Sequence, residues 1–357
     1  MKGFAVICLG VIAHSAALAA SHPPKTYRLE ATPSTVAYGY YWSEAPPVLH
    51  IDSGDIIDVD TLLTNTPTGL AKAGVPDDKI QSSLKAIVSE VTGDRRGPGG
   101  HILTGPVYVE GAEPGDVLEV KILSIDLALD YGYNGCSGFL PDNCESGIPV
   151  KILALDRKAM TAEFLPGIVI PLKPFYGSIG VAPAPELGRL SSNPPGRHAG
   201  NLDNRELVAG STLYIPIFAR GALFEIGDGH AAQGDGEVCI NGIECPLDVT
   251  LRFRLHKHSP LAGPIVEASE RTARDSTSDA WVVVESGIDL AGTARAATLR
   301  MIELLVSRWG FSEVHAYLLC SVALKMRLSQ VVNEPMYTVS AALSKQILPG
   351  RELFPHP

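Results

Sequence analysis

Charge is scarce in this 357-residue sequence, with Asp, Glu, Lys and Arg together making up 19%, and aromatic residues are scarcer still at 6%. Lys and Arg total 29 against 39 acidic residues, a formal net charge of -10. No basic block and no Arg/aromatic alternation interrupts that balance, which argues against a nucleic-acid partner. Beyond the first twenty residues no stretch reaches about eighteen uninterrupted apolar residues, so no membrane span is expected once that leader is removed. There is no C-x-x-C pair, which excludes a zinc ribbon or a thioredoxin-type site. There is no Gly-x-Ser-x-Gly elbow, and no Gly/Ser-rich serine cluster with its lysine. Gly227-x-Gly229 followed by Ala232 is an incomplete dinucleotide fingerprint with no βαβ unit around it. The carboxylates from Asp228 to Asp235 do not follow EF-hand ligand order.

What is abundant is turn chemistry. Gly (35) and Pro (27) are spread along the chain, as expected for short strands joined by tight turns. Ser53–Asp60 and Pro114–Lys121 each place a Gly-Asp turn before alternating apolar and charged residues, the pattern of half-buried antiparallel strands. Val36–Trp42 and Ile102–Val109 also read as strands. A short helix is expected over Asp77–Val91. Arg189–Gly200 reads as a surface loop delivering Asn201-Leu202-Asp203. Leu299, Ile302 and Leu305/Val306 predict a helix over Thr293–Val306. Gly310 follows it, and a second helix capped by Ser312 is expected to run to about Arg327, apolar nearly all round and hence buried. Val331-Val332 and Tyr337–Val339 return to strand-like sequence. The expectation is a mainly β fold: a β-sandwich or barrel-like body of short antiparallel strands with a C-terminal helical hairpin. It is read as one domain over 21–357, β-rich over 27–265 and α/β over 266–357.

Residues 1–20 differ from the rest. Lys2, the apolar run Phe4–Ile12 and the small residues Ala17-Leu18-Ala19 form a secretory signal pattern, pointing to a secreted or periplasmic protein. Cys8 lies in that leader, which leaves five of the six cysteines. Cys136/Cys144 and Cys239/Cys245 are the two candidate disulfides in an oxidising compartment, the second pair bracketing the hairpin signal Asn241-Gly242, and Cys320 is left over. Spacing alone does not decide either pairing.

Chemistry concentrates in Ile226–Glu237, where four glycines, three carboxylates and a histidine follow an apolar run. Asp228 and His230 are two apart, so on an extended segment they leave the same face, and Gly227 and Gly229 are expected to keep that face uncrowded. Such a cluster suits a metal or acid–base site. Imidazole with carboxylate suits zinc with an open position. Glu237 is the candidate proton shuttle, with Asp235 as an alternative. His101 is either a site residue or a strand-end histidine. Asn201-x-Asp203 by itself reads as an Asx-turn.

Several ordered motifs resemble the acetamidase/formamidase family. They are His101 followed by Thr104–Asp116, Asn201-Leu202-Asp203, Gly210–Pro216, Gly221–Phe224, Gly227–Cys239, Ala316–Ser321 and Ser329–Val332. The resemblance covers most of the chain after the leader. It implies a β-sandwich or barrel-like fold with a small α/β portion and metal-dependent hydrolysis of short carboxamides to acid and ammonia. It also adds Asp203 to Asp228 and His230 as a metal ligand; Glu237 and His101 stand as the catalytic candidates. The partner implied is a small amide substrate, and base rates favour a homodimer. Two features depart from the family: the leader, and the Cys-flanked Gly132–Asn143 loop where relatives tend to carry a Trp-rich stretch. The alternatives are a cyclic amide or imide hydrolase with the same site, or a non-catalytic ligand-binding member of the fold.

Overall fold

A computed structural model describes residues 23–144, 150–268 and 279–354; the leader read at 1–20 lies outside the described residues. Two sheets, of nine and eleven strands, account for most of it. In the nine-stranded sheet Leu247–His256 pairs antiparallel with both Ile56–Asp60 and Val117–Leu127. The sequence alternates accordingly: Leu247, Val249, Leu251 and Phe253 are buried, whereas Asp248, Thr250 and Arg254 are half-buried and Arg252 is exposed. The two Gly-Asp turns are built alike. The Asp55 carboxylate accepts from the Asp52 N–H and the Asp116 carboxylate from the Glu113 N–H, each after a glycine with positive φ.

In the eleven-stranded sheet, Phe224–Ala232 pairs antiparallel with Ile102–Val109, Phe175–Gly180 and Ile243–Glu244. The two sheets face each other across one core, with Phe224 edge-on to Phe253 at 5.0 Å and Ile226, Tyr176 and Ile179 beside Val120 and Leu251. This is the mainly β sandwich expected of the sequence.

The C-terminal part extends the nine-stranded sheet through Ile265–Glu267, Ala280–Gly287, Tyr337–Ser344 and Lys325–Gln330. Ala280–Gly287 shows why its sequence is a continuous apolar run. Ala280, Val282 and Val284 face the shared core, while Trp281 and Val283 pack on the helix Leu290–Trp309 through Met301, Leu305 and Trp309. A strand covered on both faces has no polar face to show. Asp289 caps that helix by accepting the Gly292 N–H, and Gly310 ends it in the left-handed conformation, as its lack of a Cβ permits.

Several expectations are corrected. The second helix, Glu313–Ala323, is capped by Ser312 but stops short of Arg327, because Lys325–Gln330 pairs with Tyr337–Ser344 as an edge strand. Nor is it buried all round: Ala316 and Cys320 face inward, and Val314 and Val322 are 68% and 83% exposed. The helix is an outer layer, packed on one side only. Val331-Val332 is a bend rather than a strand. Asp77–Lys79 is a separate 3-10 turn, and the helix proper is Ser82–Glu90, with Ile80 extended between them. Arg189–Gly200 is no surface loop, since Ser192 and His198 are buried and Ala199–Asn201 pairs with Phe175–Gly180. Among the described residues no helix is long and apolar enough to cross a membrane.

Candidate functional site

Phe224–Ala232 is buried almost throughout, although it carries Glu225, Asp228 and His230. Its pairing with Ile243–Glu244 sets His230 opposite Glu244. The His230 Nε2 lies 3.0 Å from Glu244 Oε1, 3.7 Å from Asp228 Oδ2 and 3.9 Å from Glu237 Oε1, and the Nδ1 lies 3.9 Å from Asp203 Oδ1. Four carboxylates therefore surround one imidazole. Asp203, Asp228 and Glu237 also share an uncommon backbone: φ is 46°, 59° and 48°, the left-handed region. Each such residue costs on the order of 1–3 kcal/mol, and such strain clusters at functional sites.

Close approach of the acids depends on Gly177, which lies on the neighbouring strand Phe175–Gly180. A Cβ there would sit 2.4 Å from Asp203 Oδ1 and 2.5 Å from Asp228 Oδ2. Gly227 and Gly229 do something other than expected. They do not line the site. Their missing Cβ atoms would strike the Ile102 and Cys245 carbonyl oxygens at 2.4 and 2.6 Å, so they let neighbouring strands close. The left-handed backbone of Asp228 interrupts the period-two alternation, since Phe224, Ile226 and Ala231 all belong to the shared core.

Neutral side chains hold the donors in place. The His230 Nδ1–H donates to Gln233 Oε1 at 2.8 Å, and the Gln233 amide nitrogen donates to the Asp203 and Ser329 carbonyls. That amide orientation leaves its oxygen as acceptor, and so leaves Nε2 to the carboxylates. Thr64 Oγ1 donates to Asp228 at 3.0 Å and Asn333 Nδ2 to Asp203 at 2.5 Å. His101 Nε2 is 3.7 Å from Asp228 Oδ2, and its Nδ1 is 3.0 Å from the Ser192 hydroxyl. The segment with Glu237 is pinned by the C-terminal part, since the Gly236 N–H donates to the Leu328 carbonyl and Gly236 accepts from Val331.

Electrostatics divide the acids. Burial would raise Asp228, but the His101 and His230 imidazoles outweigh it and hold the carboxyl below its usual range. Burial and the neighbouring Asp203 charge push Glu237 well up. Burial pushes Glu244 up to about 7 against the opposing pull of His230, and raises Asp203 too. Burial alone would deprive His230 of its proton, yet Glu244 and Asp228 keep it high.

Four buried carboxyl groups thus share one imidazole. Three buried atoms, Asp203 Oδ1, His230 Nε2 and Glu237 Oε2, have no hydrogen-bond partner; the short His230–Glu244 approach is off the hydrogen-bonding direction. Donor atoms of Asp203, His230 and Glu237, and of Asp228, His230 and Glu244, lie within 4.8 Å of one another in each group. Buried carboxylates in excess call for protons or a cation. The donor set fits a divalent metal ion.

Above the cluster opens a cavity of about 850 Å³. Asp228, Glu237, Glu244 and His101 line it, while Asp203 and His230 lie beneath that surface. Asp235 is elsewhere, partly exposed and paired with Arg205, so it is not a substitute for Glu237. Cys136 and Cys144 are bonded, but Cys239 and Cys245 are free. With Glu244 turned to His230, Cys245 points the other way into the core, and no hairpin brings Cys239 to it. Sequence reasoning passed over Glu244, Gly177, Gln233, Asn333 and Thr64. Only Glu244 carries a signal, a lone acid within Ile243–Leu247.

A model of the Acetamidase/Formamidase family matches residues 41–193 and 188–349. The formamidase of Methylophilus methylotrophus is 27% identical over 307 residues, covering 66% of this chain and 74% of that protein. The acetamidase of Mycolicibacterium smegmatis is 25% identical over 295 residues, covering 61% and 72%. The crystal structure of a predicted acetamidase/formamidase from Thermoanaerobacter tengcongensis superposes with a TM-score of 0.75 at 29% identity, over 93% of this chain and all of the other. With both parts of the site inside the matched segments, this chain belongs to the acetamidase/formamidase family.

Proposed function

We propose that this protein hydrolyses primary carboxamides with water to a carboxylate and ammonia, in a reaction that depends on a divalent cation. One observation supports the reading: four buried carboxylates converge on His230 at the floor of a cavity, in a chain whose curated relatives are named formamidase and acetamidase. Asp228, His230 and Glu244, whose donor atoms lie within 4.8 Å of one another, would hold the ion, with Asp203 beside His230 in the adjoining group, and the mixture of imidazole and carboxylate favours zinc. Bound there, such an ion supplies Lewis-acid polarisation and a water of lowered pKa.

The protein's own groups do the rest. Glu237 Oε2 is buried and without a partner, and its raised proton affinity suits a carboxylate that takes a proton from water and delivers it to the departing nitrogen. His101, at the cavity wall between Ser192 and Asp228, donates from Nε2 to orient the amide carbonyl. Gln233 keeps the His230 tautomer, and Asn333 and Thr64 keep the Asp203 and Asp228 rotamers.

Ammonia release from a small-amide panel, before and after chelation, tests the reading. Chelation is expected to stop turnover and added zinc to restore it. Glu237→Gln is expected to lose ~100-fold or more in kcat with metal content unchanged. Turnover that survives complete metal removal eliminates the cation, and full activity of Glu237→Gln eliminates the shuttle. The leader pattern at 1–20 and the Cys136–Cys144 bridge both support export to an oxidising compartment. N-terminal sequencing of the native protein tests this, with a start near Ser21 expected and an intact Met1 opposing it.

A further inference from the structure

The cavity is far larger than the smallest amides require. Cavities of roughly 300–1,000 Å³ enclose ligands of drug size, and this one measures about 850 Å³, whereas acetamide is a handful of atoms. Its lining is also segregated. The buried floor is polar, with Asp228, Glu237, Glu244, Asn201 and Asn333, while much of the exposed rim is apolar, with Asn193 and Glu334 as its polar members. Phe139, Ile240 and Ile288 are 57%, 42% and 73% exposed there, and Met336 and Tyr337 join them half-buried.

From this arrangement we infer that the acyl group of the substrate lies along the rim, and that the substrate is a primary amide with an extended apolar acyl part, arylalkyl or medium-chain alkyl, rather than formamide or acetamide. The inference rests on the amide-hydrolysis reading and adds the substrate class to it.

The rim beside Glu237 is built rather than left over. Phe139 lies in the loop closed by Cys136–Cys144. Its N–H donates to the Val238 carbonyl at 2.8 Å. A Cβ on Gly138 would stand 2.7 Å from both the Val238 carbonyl oxygen and the Ile240 nitrogen, so the two segments touch only because that residue is glycine. The crosslink and this contact hold the Phe139 loop against Val238–Ile240, the segment that directly follows the proposed proton carrier Glu237. Water gains nothing from an apolar rim, whereas an apolar acyl group leaves water by covering it. The charge pattern agrees. Among the described lining residues, the acid outside the floor is Glu334 and no Lys or Arg is present, so an anionic acyl group meets repulsion at both ends.

The test is kcat/KM for ammonia release by the full chain from formamide, acetamide, hexanamide, phenylacetamide and succinamate. Hexanamide or phenylacetamide is expected to exceed acetamide by ~10-fold or more, the scale set by a few buried methylenes, and succinamate to be the poorest of the longer amides. Phe139→Ala and Ile240→Ala are each expected to reduce the phenylacetamide-to-acetamide ratio ~5-fold or more. A wild-type ratio at or below one overturns the inference without reference to any variant, as does a ratio that neither substitution moves. If none of the amides is hydrolysed, the amide-hydrolysis reading falls and this inference with it. Turnover that favours acetamide removes the acyl assignment alone.

Discussion

The helix layer at the C-terminus and the carboxylate cluster beneath the cavity obey opposite rules. In the first, Met301, Leu305 and Trp309 pack on Trp281 and Val283, and the helix ends are closed by Asp289, Ser312 and Gly310. In the second, buried acids face one another, three of them hold left-handed backbone, and three polar atoms lack partners. Ordinary packing satisfies each group where it sits. The cluster is stable only because the surrounding sheet over-determines it, which is how strain persists at functional sites. Substitutions in the two regions should therefore fail in different ways.

The largest effect expected is on stability, in the helix layer. Leu305→Ala removes a fully buried side chain and should cost 2–5 kcal/mol by denaturant titration, with turnover per folded molecule unchanged. A loss of turnover per folded molecule would mean that the layers are coupled. Next comes His198, which burial alone lowers from 6.5 to about 4. The unfolded chain then binds a proton that the native state refuses between those values. Stability is complete above pH 6.5 and declines as pH falls towards about 4, by about 3 kcal/mol in all. His198→Gln should flatten that part of the stability–pH curve, and an unchanged slope would show that His198 is not held neutral.

Gly177→Ala inverts the Leu305 result. A methyl group 2.4–2.5 Å from two carboxylates must displace them, and displacements near an ångström cost ~100-fold in rate. Ammonia release should drop by that factor while the melting curve changes little. A stable, fully active Gly177→Ala protein would show that the acids need not converge. The smallest effect is at a helix cap: Ser312→Ala loses the hydroxyl that accepts the His315 N–H and should cost ~1 kcal/mol of stability.

Legibility in the sequence divided along another line, between local patterns and contacts made by distant segments. Strand alternation around Ile56 and Val117, the caps at Ser312 and Gly310, and the Asp228/His230 pair are local patterns, and each is visible within about ten residues. Helix length failed at Ala323 because the next residues hydrogen-bond to Tyr337–Ser344, a partner that periodicity does not see. Cys239 and Cys245 failed as a pair for the same reason: an Asn-Gly signal predicts a hairpin, but strand register decided where Cys245 points.

By itself, the sequence determined the fold class, the family and the short stretch on which the chemistry is centred, because those depend on period, turn residues and motif order along the chain. Only the tertiary structure decided that Glu244 stands opposite His230, that Gly177 rather than Gly227 or Gly229 makes room for the acids, and that Asn333 reaches Asp203 across 130 residues. It also joined the crosslinked loop of Phe139 to the segment that follows Glu237. Contacts between distant segments are set by sheet register and by the close approach of backbones, and neither quantity is written in any local run of residues.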